Sequence, residues 1–495
     1  MTGTLAQTPA SPAESPRHRV VSPVVLLALV SLFYGLAQLT VVSVHMGIGW
    51  DESIYASQYA AHTPPADFSA PRAQGMPLLV APVVALTDSV VALRAYLTVL
   101  SSLALFGAFL VWTRVRRGYA VPLAAALFAG CWLSLFYGNE AMPNLYVALG
   151  TVAATGFFLI DRSRAVTTGR GSRAAAAGLA GSLAAVSLMR PSDALVVAVP
   201  MAAMALLVRP RRIPSLAAIL IGLGVGWGEW LIEAELRFGG VAARMRGAEE
   251  ANLTGLTVSV LEHARALDGP SLCRWNVDCG DVSPVALAWW LTIPLITLVG
   301  LWAAWRDHRP GPVLLATATG LAIAAPYLFY VDYAAPRFLM PAYALLSIPI
   351  AEGAIALARA GRPPLRHVAA ALAGVGLLAH FALQGTYAYR MSAITFERRE
   401  RVDLATEELR RMGVRAPCVV YGQSGVQIGY MLGCRSQGLT RGFPAEQPPR
   451  VRQALKDGVQ LVMVYSGARP PGYAADWRMV KLPGGWRARF APSGG

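Results

Sequence analysis

The stretch VVSPVVLLALVSLFYGLAQLTVVSV at residues 20–44 is followed shortly by GWDESIY at residues 49–55. The first stretch is apolar over about 20 residues, the length at which a helix crosses the hydrocarbon core of a bilayer. The second stretch places two carboxylates, Asp51 and Glu52, shortly after the end of that helix. Ionised groups beside a bilayer are costly unless they face water, a cavity or a substrate. The junction therefore predicts a membrane protein with a candidate site at one membrane surface.

The composition agrees with a membrane protein. The chain has 495 residues, of which 55% are hydrophobic and 14% charged, whereas soluble domains carry about 25% charged residues. The net charge of +15 does not predict a nucleic-acid partner, because the basic residues lie in short clusters between apolar runs, as topology determinants do. Lysine occurs only at positions 456 and 481, and the dominance of Arg with abundant Ala, Gly and Pro favours a GC-rich bacterial source.

The apolar runs predict a mainly α-helical, polytopic bundle of about 11 transmembrane helices. Arg17-His18-Arg19 favours a cytoplasmic N-terminus, and each predicted cytoplasmic loop then carries two or more Arg. Loops 45–88 and 232–284 accordingly lie outside the cytoplasm. The predicted segments are 20–44, 89–112, 119–137, 142–160, a pair within 174–208, 213–231, 285–304, 312–330, 338–358 and 367–387.

The same pattern divides the chain into three parts. Residues 1–19, rich in Ser, Pro and Ala, are predicted to be a disordered cytoplasmic tail. Residues 20–390 form the transmembrane domain, and residues 391–495 an extracytoplasmic α/β domain of ordinary size. The elements predicted for this last domain are an amphipathic helix at 396–411, strands at 418–421 and 459–464, a helix at 450–456 and a hairpin at 477–490.

The cysteines provide a test of this topology. Cys273 and Cys279 lie in the outer loop, and Cys418 and Cys434 lie in the C-terminal domain. Because an oxidising compartment permits disulfides, each pair is a disulfide candidate, although reduced thiols are the alternative. The remaining Cys131 is predicted to be a small apolar filler within a membrane segment.

Asp51 and Glu52 are the first candidates for chemistry. A carboxylate beside a cavity can act as a general base, and an acidic pair can hold a divalent cation such as Mg or Mn. The alternative is a solvated pair that only flanks a membrane helix. Further polar residues, Asn139 and Glu140, lie at the outer end of another predicted segment. Most unusual polar residues thus fall on one side of the membrane.

Several arginines lie on the same predicted outer side, where the positive-inside rule does not explain them. Arg337 follows Tyr333 within Asp332-Tyr333-Ala334-Ala335-Pro336-Arg337-Phe338-Leu339-Met340-Pro341. Its guanidinium could snorkel to lipid phosphate or clamp the phosphate of a lipid-linked substrate. Arg72 in the first outer loop has the same two interpretations. Arg94 and Arg190, near outer helix ends, are candidates to face a cavity.

The order of these motifs resembles the GT-C superfamily of integral-membrane glycosyltransferases, in particular the aminoarabinose transferase and protein O-mannosyltransferase branch. Trp50-Asp51-Glu52 with Tyr55 is similar to the Asp-Glu motif of its first external loop. Arg72 to Pro82 is similar to the interfacial segment that follows, and Glu140 to Asn144 to a polar turn. Arg337-Phe338-Leu339-Met340-Pro341 resembles its Arg-aromatic-Leu-x-Pro motif. The resemblance covers residues 20–390, and Arg190 stands where relatives often have Lys.

This resemblance implies a polyprenyl-phosphate-linked sugar as donor and a hydroxyl on a glycan, lipid or protein as acceptor. Asp51 would be the base, and Arg337 with Arg72 would stabilise the leaving lipid phosphate. The residues expected to bind substrate are Tyr55, Arg72, Arg94, Asn139, Glu140, Arg190, Tyr333 and Arg337. Glu52 would orient the acceptor or help hold a cation. One base and one direct displacement would invert the anomeric centre.

Two other classes of function are compatible with a polytopic chain. The first is a transporter or flippase of lipid-linked substrates; against it, the hydropathy shows no repeat, and the polar residues lie near the interface rather than at mid-membrane depth. The second is a membrane scaffold without catalysis that presents the soluble domain. Release of polyprenyl phosphate from a lipid-linked sugar is expected only of the enzyme.

Overall fold

The computed structural model describes residues 21–274, 277–439 and 442–492, so the tail predicted at residues 1–19 lies outside the described residues. Within them, helices dominate the first four-fifths of the chain. These helices are α1 Pro23–Val41, α2 Trp50–Ser57, α3 Gly75–Val84, α4 Val90–Thr113, α5 Ala120–Ala129, α6 Trp132–Phe136, α7 Pro143–Thr168, α8 Arg173–Met189, α9 Pro191–Leu207, α10 Ile213–Arg237, α11 Val241–Asn252, α12 Val260–Arg265, α13 Pro284–Arg306, α14 Pro310–Phe329, α15 Met340–Ala358, α16 Leu365–Arg411, α17 Gly425–Leu432 and α18 Pro449–Lys456.

The sequence marks the start of several long helices. The hydroxyls of Ser22, Ser89 and Ser283 accept hydrogen bonds from the first turns of α1, α4 and α13, at 3.2 to 3.4 Å. Such caps satisfy backbone N–H groups that have no partner within the helix. Proline often follows directly, as Pro23 and Pro284 do, because its fixed φ suits the first helical position.

Eight helices in the described part of the chain are long and apolar enough to cross a membrane, in agreement with the predicted polytopic bundle. The remaining predicted segments correspond to shorter apolar helices: α8 and α9 with 17 residues each, and α5 with 10. The prediction of one continuous helix over 119–137 is wrong. Cys131 adopts an extended conformation, with ψ 137°, and this divides the segment into α5 and α6.

Helix α16 joins the membrane bundle to the C-terminal domain. It runs unbroken for 47 residues, whereas the sequence analysis predicts separate helices at 367–387 and 396–411. The two merge because the segment from Thr386 to Arg411 contains neither Gly nor Pro, the residues that most often end a helix. The predicted domain boundary at 390/391 falls inside this helix.

The C-terminal domain contains five strands: β1 Cys418–Gly422, β2 Arg435–Gly438, β3 Gln460–Tyr465, β4 Arg478–Lys481 and β5 Arg487–Phe490. They form one sheet of order β2-β1-β3-β5-β4. Strands β1, β2 and β3 are parallel, and β5 pairs antiparallel with β3 and with β4. The sequence predicts β1, β3 and the β4–β5 hairpin, but neither β2 nor α17.

The two faces of the sheet bury alternate residues of the central strands β1 and β3, as the two-residue period of a strand requires. Val420 and Val462 share a core with Leu409 of α16. Tyr421 and Met463, one residue further along, belong to the core on the opposite face, which α18 covers. The last turns of α16 are therefore part of the domain core as well as a continuation of the membrane helix.

Helix α17 attaches this domain to the segment that begins α2. The Gln427 side-chain amide donates a hydrogen bond of 3.3 Å to the carbonyl of Ile48, and Val426 packs against Ile54 of α2. Gly438 lies so close to the Trp50 ring that a Cβ at this position would collide with it. The C-terminal domain thus covers the start of the helix that carries Asp51.

Both cysteine pairs form disulfides, Cys273–Cys279 and Cys418–Cys434, while Cys131 is a buried free thiol. We therefore expect denatured, unreduced protein to take up a single maleimide, at Cys131. After reduction, the protein should take up five, one for each cysteine of the chain. Intact-mass measurement of the purified protein makes this test, and five adducts before reduction would contradict both disulfides.

Candidate active site

Asp51 lies in the first turn of α2, between two arginines from distant parts of the chain. Arg72 Nη2 donates to Asp51 Oδ1 at 2.6 Å, and Arg337 Nη2 lies 3.4 Å from Oδ2. The side chain of Asp51 is 30% exposed, and those of the two arginines 13% and 15%. The structure therefore brings three predicted site residues together and leaves the carboxylate open to a ligand.

Aromatic rings support both guanidinium groups. The Arg72 guanidinium lies over the Tyr55 ring, 4.8 Å from its centroid. That of Arg337 lies 5.4 Å from the Phe338 ring and 6.0 Å from the Tyr137 ring. Such contacts attract cations through the ring quadrupole and hold the planar groups in fixed orientations.

Arg190 approaches the same group of rings from the break between α8 and α9. Its guanidinium lies 4.8 Å from the Phe338 ring, and its Nε forms an ion pair of 3.2 Å with Asp193. Asp193 in turn accepts a hydrogen bond from the Tyr327 hydroxyl at 2.5 Å. Phe338 therefore contacts two guanidinium groups, and Arg190 lies at the margin of the site that contains Asp51.

Arg274, which the sequence analysis does not single out, also belongs to this site. Its guanidinium lies 4.8 Å from the ring of Tyr333. The neighbouring Cys273 pairs with Ala334 through two backbone hydrogen bonds, of 2.7 and 2.8 Å. These contacts place Cys273 and Arg274 against the segment that leads to Arg337. The one feature of the sequence that could have pointed to Arg274 is its position directly after Cys273.

The arginines set the charge state of the site. Burial raises the pKa of the Asp51 carboxyl, but the positive charges of Arg72 and Arg337 outweigh it and hold the pKa below its usual value. Asp51 is thus ionised at neutral pH. The Nε atoms of Arg274 and Arg337 are buried without an acceptor in the part of the chain that the structure describes. An anionic ligand would supply these missing acceptors.

Glu52 has a different environment from its neighbour. Its two oxygens accept hydrogen bonds from Arg94, at 2.5 and 2.7 Å. Further donors are the backbone N–H of Gly49 at 2.8 Å, the backbone N–H of Ala141 at 2.7 Å and Arg399 Nη1 at 3.1 Å. Only 1% of the Glu52 side chain is exposed, so this carboxylate is enclosed by the protein.

The other predicted polar residues join this enclosed group. Arg94 Nη1 donates to the carbonyl of Asn139 at 2.7 Å, and Arg399 Nη2 donates to Glu140 Oε1 at 2.7 Å. Burial raises the pKa of Glu140, whereas Arg94 and Arg399 outweigh burial and lower that of Glu52. We call Glu52, Arg94, Asn139, Glu140 and Arg399 the buried ionic cluster.

The predicted cation site at Asp51 and Glu52 does not fit this geometry. The Glu52 oxygens are occupied by five hydrogen-bond donors, and both oxygens of Asp51 contact arginines. Divalent cations such as Mg²⁺ require a set of oxygen ligands, and guanidinium groups would repel them. No group of three or more His, Cys, Asp or Glu in the described ranges is arranged to hold a metal ion.

The predicted site residues are therefore divided between two neighbouring groups. The accessible group consists of the Asp51 carboxylate with Arg72, Arg337 and the supporting ring of Tyr55, and Arg190 and Tyr333 lie at its margin. The buried ionic cluster contains Glu52, Arg94, Asn139 and Glu140. Sequence reasoning missed Arg399, because it lies within the highly charged stretch that predicts a solvated amphipathic helix. Nothing in that stretch distinguishes Arg399 from its exposed neighbours.

Comparison with known proteins supports the predicted architecture. No family model and no curated protein matches the sequence. ArnT from Cupriavidus metallidurans bound to undecaprenyl phosphate is similar in structure, with a TM-score of 0.61 at 14% identity over 95% of this chain and 99% of that one. The Archaeoglobus fulgidus oligosaccharyltransferase AglB, in complex with an inhibitory peptide and a dolichol-phosphate, gives 0.53 at 13% identity over 88% and 69%. Arabinofuranosyltransferase AftD from Mycobacteria gives 0.50 at 16% over 88% and 35%.

All three are glycosyltransferases of the GT-C superfamily. The predicted resemblance is thereby confirmed at the level of the fold: a polytopic helix bundle followed by a C-terminal domain. At these identities the likeness concerns the fold alone.

Proposed function

We propose that the protein is a membrane glycosyltransferase that moves a sugar from a polyprenyl-phosphate donor to an acceptor hydroxyl, with inversion at the anomeric carbon. The observation that carries this proposal is the arrangement of Asp51 between Arg72 and Arg337. It combines an accessible base with cations suited to a lipid phosphate. The fold supports it, because structures that share it bind undecaprenyl phosphate or dolichol-phosphate.

The proposed reaction is a single displacement. The Asp51 carboxylate accepts the proton of the acceptor hydroxyl while that oxygen forms a bond to the anomeric carbon of the sugar. The bond from this carbon to the phosphate oxygen breaks, and polyprenyl phosphate leaves with its electron pair. Arg337 and Arg72 stabilise the negative charge that develops on the phosphate. The leaving group needs no proton, since a phosphate diester becomes a stable monoester anion.

The same arginines link donor binding to the strength of the base. In the free protein their charges depress the pKa of Asp51, which makes the carboxylate a weak proton acceptor. When a donor phosphate engages Arg72 and Arg337, the added negative charge offsets theirs, and the pKa of Asp51 rises. Asp51 thus becomes a stronger base once the donor is bound.

An apolar groove between α5, α13, α15 and α16 supports the lipid part of this proposal. It has a volume of about 610 Å³, and its lining includes Trp289, Tyr343 and Leu372. Tyr343 lies in the helix that directly follows the turn bearing Arg337. A polyprenyl tail bound in this groove would follow α15 towards the turn that bears Arg337, and therefore towards the site.

The proposed location of the site is the extracytoplasmic surface, with the C-terminal domain on the same side and the N-terminus in the cytoplasm. The positive-inside pattern supports this orientation. Arg94 lies beside the site near the start of α4, and the basic cluster after its end, including Arg116, lies at the opposite end of the bundle. Both disulfides also favour an oxidising compartment.

The decisive test is transfer by purified protein in lipid nanodiscs with a panel of undecaprenyl-phosphate-linked hexoses and pentoses. We expect at least one donor to release undecaprenyl phosphate in the presence of an acceptor extract of the cell envelope. If the protein turns over no donor but moves undecaprenyl phosphate between the leaflets of proteoliposomes, the result would favour the flippase instead.

Arg337→Gln should reduce transfer by about 100- to 1,000-fold, the loss that follows removal of one donor to a developing anion. The affinity of this variant for undecaprenyl phosphate should fall as well, because the substitution removes the Arg337 Nε–H, which has no acceptor among the residues that the structure describes. Steady-state kinetics and tryptophan-fluorescence titration measure the two effects. Arg359→Gln, an equal change of charge at an exposed position after α15, is the control. Equal kinetics for Arg337→Gln and the control would remove Arg337 from the proposed mechanism.

A further inference from the structure

Arg399 connects the C-terminal part of α16 to the helix that carries Asp51. Its Nη1 donates to Glu52 Oε2 at 3.1 Å and to the carbonyl of Gly47 at 3.0 Å, and its Nη2 donates to Glu140 Oε1 at 2.7 Å. The side chain is 12% exposed. One guanidinium thus joins α16 to two regions distant from it in sequence: the stretch from Gly47 to Glu52 at the start of α2, and the turn between α6 and α7.

The fit around this guanidinium is close. A Cβ at Gly49 would lie 2.8 Å from Arg399 Nη2 and 2.9 Å from Glu52 Oε2, distances that real Cβ contacts essentially never show. The backbone before α2 therefore passes directly under the arginine. The Gly49 N–H also donates to Glu52 at 2.8 Å, so the first turn of α2 is fixed by the same carboxylate that Arg399 holds.

Arg399 also belongs to the rigid element that supports the sheet. Val402 lies one turn further along α16 and Leu409 two turns beyond that, and both are in the core shared with β1 and β3. A displacement of the C-terminal domain would therefore move Arg399, and with it the start of α2. Asp51, one residue before Glu52, would lose its alignment with Arg72 and Arg337.

We infer that Arg399 is a positioning residue: through Glu52 and Glu140 it fixes the orientation of α2 and thereby makes the C-terminal domain a part of the active site. This inference rests on the proposed function where it concerns turnover. The domain is then required for catalysis even though the groups that surround Asp51 come from outside it. Arg399 itself contacts Glu52, Gly47 and Glu140, and its role in the reaction is indirect.

The test combines an exchange measurement with kinetics on the full-length protein. In Arg399→Gln we expect amide hydrogen exchange in peptides covering residues 45–57 to rise by about 10-fold or more, because Glu140 and Glu52 lose a shared partner. With the donor that the wild type uses best, kcat should fall by about 10- to 100-fold, as a misplacement of about 1 Å produces. The KM for that donor should change less than about threefold, since Arg72 and Arg337 remain.

Two further variants separate positioning from a general loss of folding. The double variant Arg399→Gln/Glu140→Gln also removes the Glu140 carboxylate, which Arg399→Gln alone leaves without its cation. On a logarithmic scale, its kcat should recover at least a third of the loss seen in Arg399→Gln. Arg401→Gln, two residues further on the same helix with its side chain 52% exposed, is the matched control and should leave exchange and kinetics unchanged.

The possible failures can be told apart. Wild-type exchange in residues 45–57 of Arg399→Gln would overturn the inference, whatever the activity. The inference would also be overturned if kcat of the double variant fell as far as that of Arg399→Gln, or if Arg399→Gln changed only KM. If the wild type turned over no lipid-linked sugar, the proposed function would fail, and the exchange measurement would still decide whether Arg399 fixes α2.

Discussion

Asp51→Asn is expected to lower transfer by about 100- to 10,000-fold, the contribution of a positioned general base. The asparagine keeps the size of the side chain and can still accept a hydrogen bond from Arg72, but it cannot take the acceptor proton. Because Asp51 is 30% exposed and lies outside the buried ionic cluster, the unfolding midpoint should stay near that of the wild type. Steady-state transfer and thermal unfolding of the same preparation measure both quantities.

Binding gives this variant a second signature. The carboxylate of Asp51 repels an incoming phosphate, so its neutralisation should leave the affinity for undecaprenyl phosphate unchanged or increase it. The control is Asp332→Asn, which removes a carboxylate at an exposed position on the same segment as Arg337. Wild-type turnover by Asp51→Asn would exclude Asp51 as the base, and a loss of both turnover and phosphate binding would point to a binding role instead.

Arg94→Met is expected to destabilise the fold by about 3–5 kcal/mol, the cost of leaving one partner of a buried ion pair uncompensated. Arg94 and Glu52 are each only 1% exposed, so water cannot replace the lost guanidinium. Arg399 also contacts Glu52 and offsets part of this cost. Equilibrium unfolding in mixed micelles of increasing SDS fraction measures the change.

Arg411→Met is the appropriate comparison for Arg94→Met. Arg411 forms an ion pair with Glu408 on the solvated surface of α16, with its side chain 69% exposed, and such pairs contribute about 1 kcal/mol or less. An unchanged unfolding midpoint for Arg94→Met would show that the buried ionic cluster does not stabilise the fold. Together with Asp51→Asn, this variant tests whether adjacent carboxylates divide catalysis and stability between them.

The separation of Asp51 from Glu52 shows where sequence reasoning ends. The dipeptide predicts a site at the mouth of the first membrane helix, and both side chains indeed lie there. The two residues project in different directions from α2, however, so one meets Arg72 and Arg337 and the other Arg94 and Arg399. No property of the dipeptide distinguishes the two, because each partner comes from a segment remote in sequence.

The sequence by itself determined the class of molecule. Apolar runs of membrane length, arginines grouped between them, and the short apolar runs of the buried strands are all patterns of neighbouring residues. The sequence predicts the breaks between helices less accurately: the extended residue at Cys131 divides one predicted segment, and α16 continues without a break through a stretch where two helices are predicted. Only the tertiary structure decided which carboxylate remains accessible, which arginines surround it, and that the C-terminal domain holds α2 through Arg399. These are contacts between groups tens to hundreds of residues apart, and their energies depend on burial and distance, which a local pattern of residues does not contain.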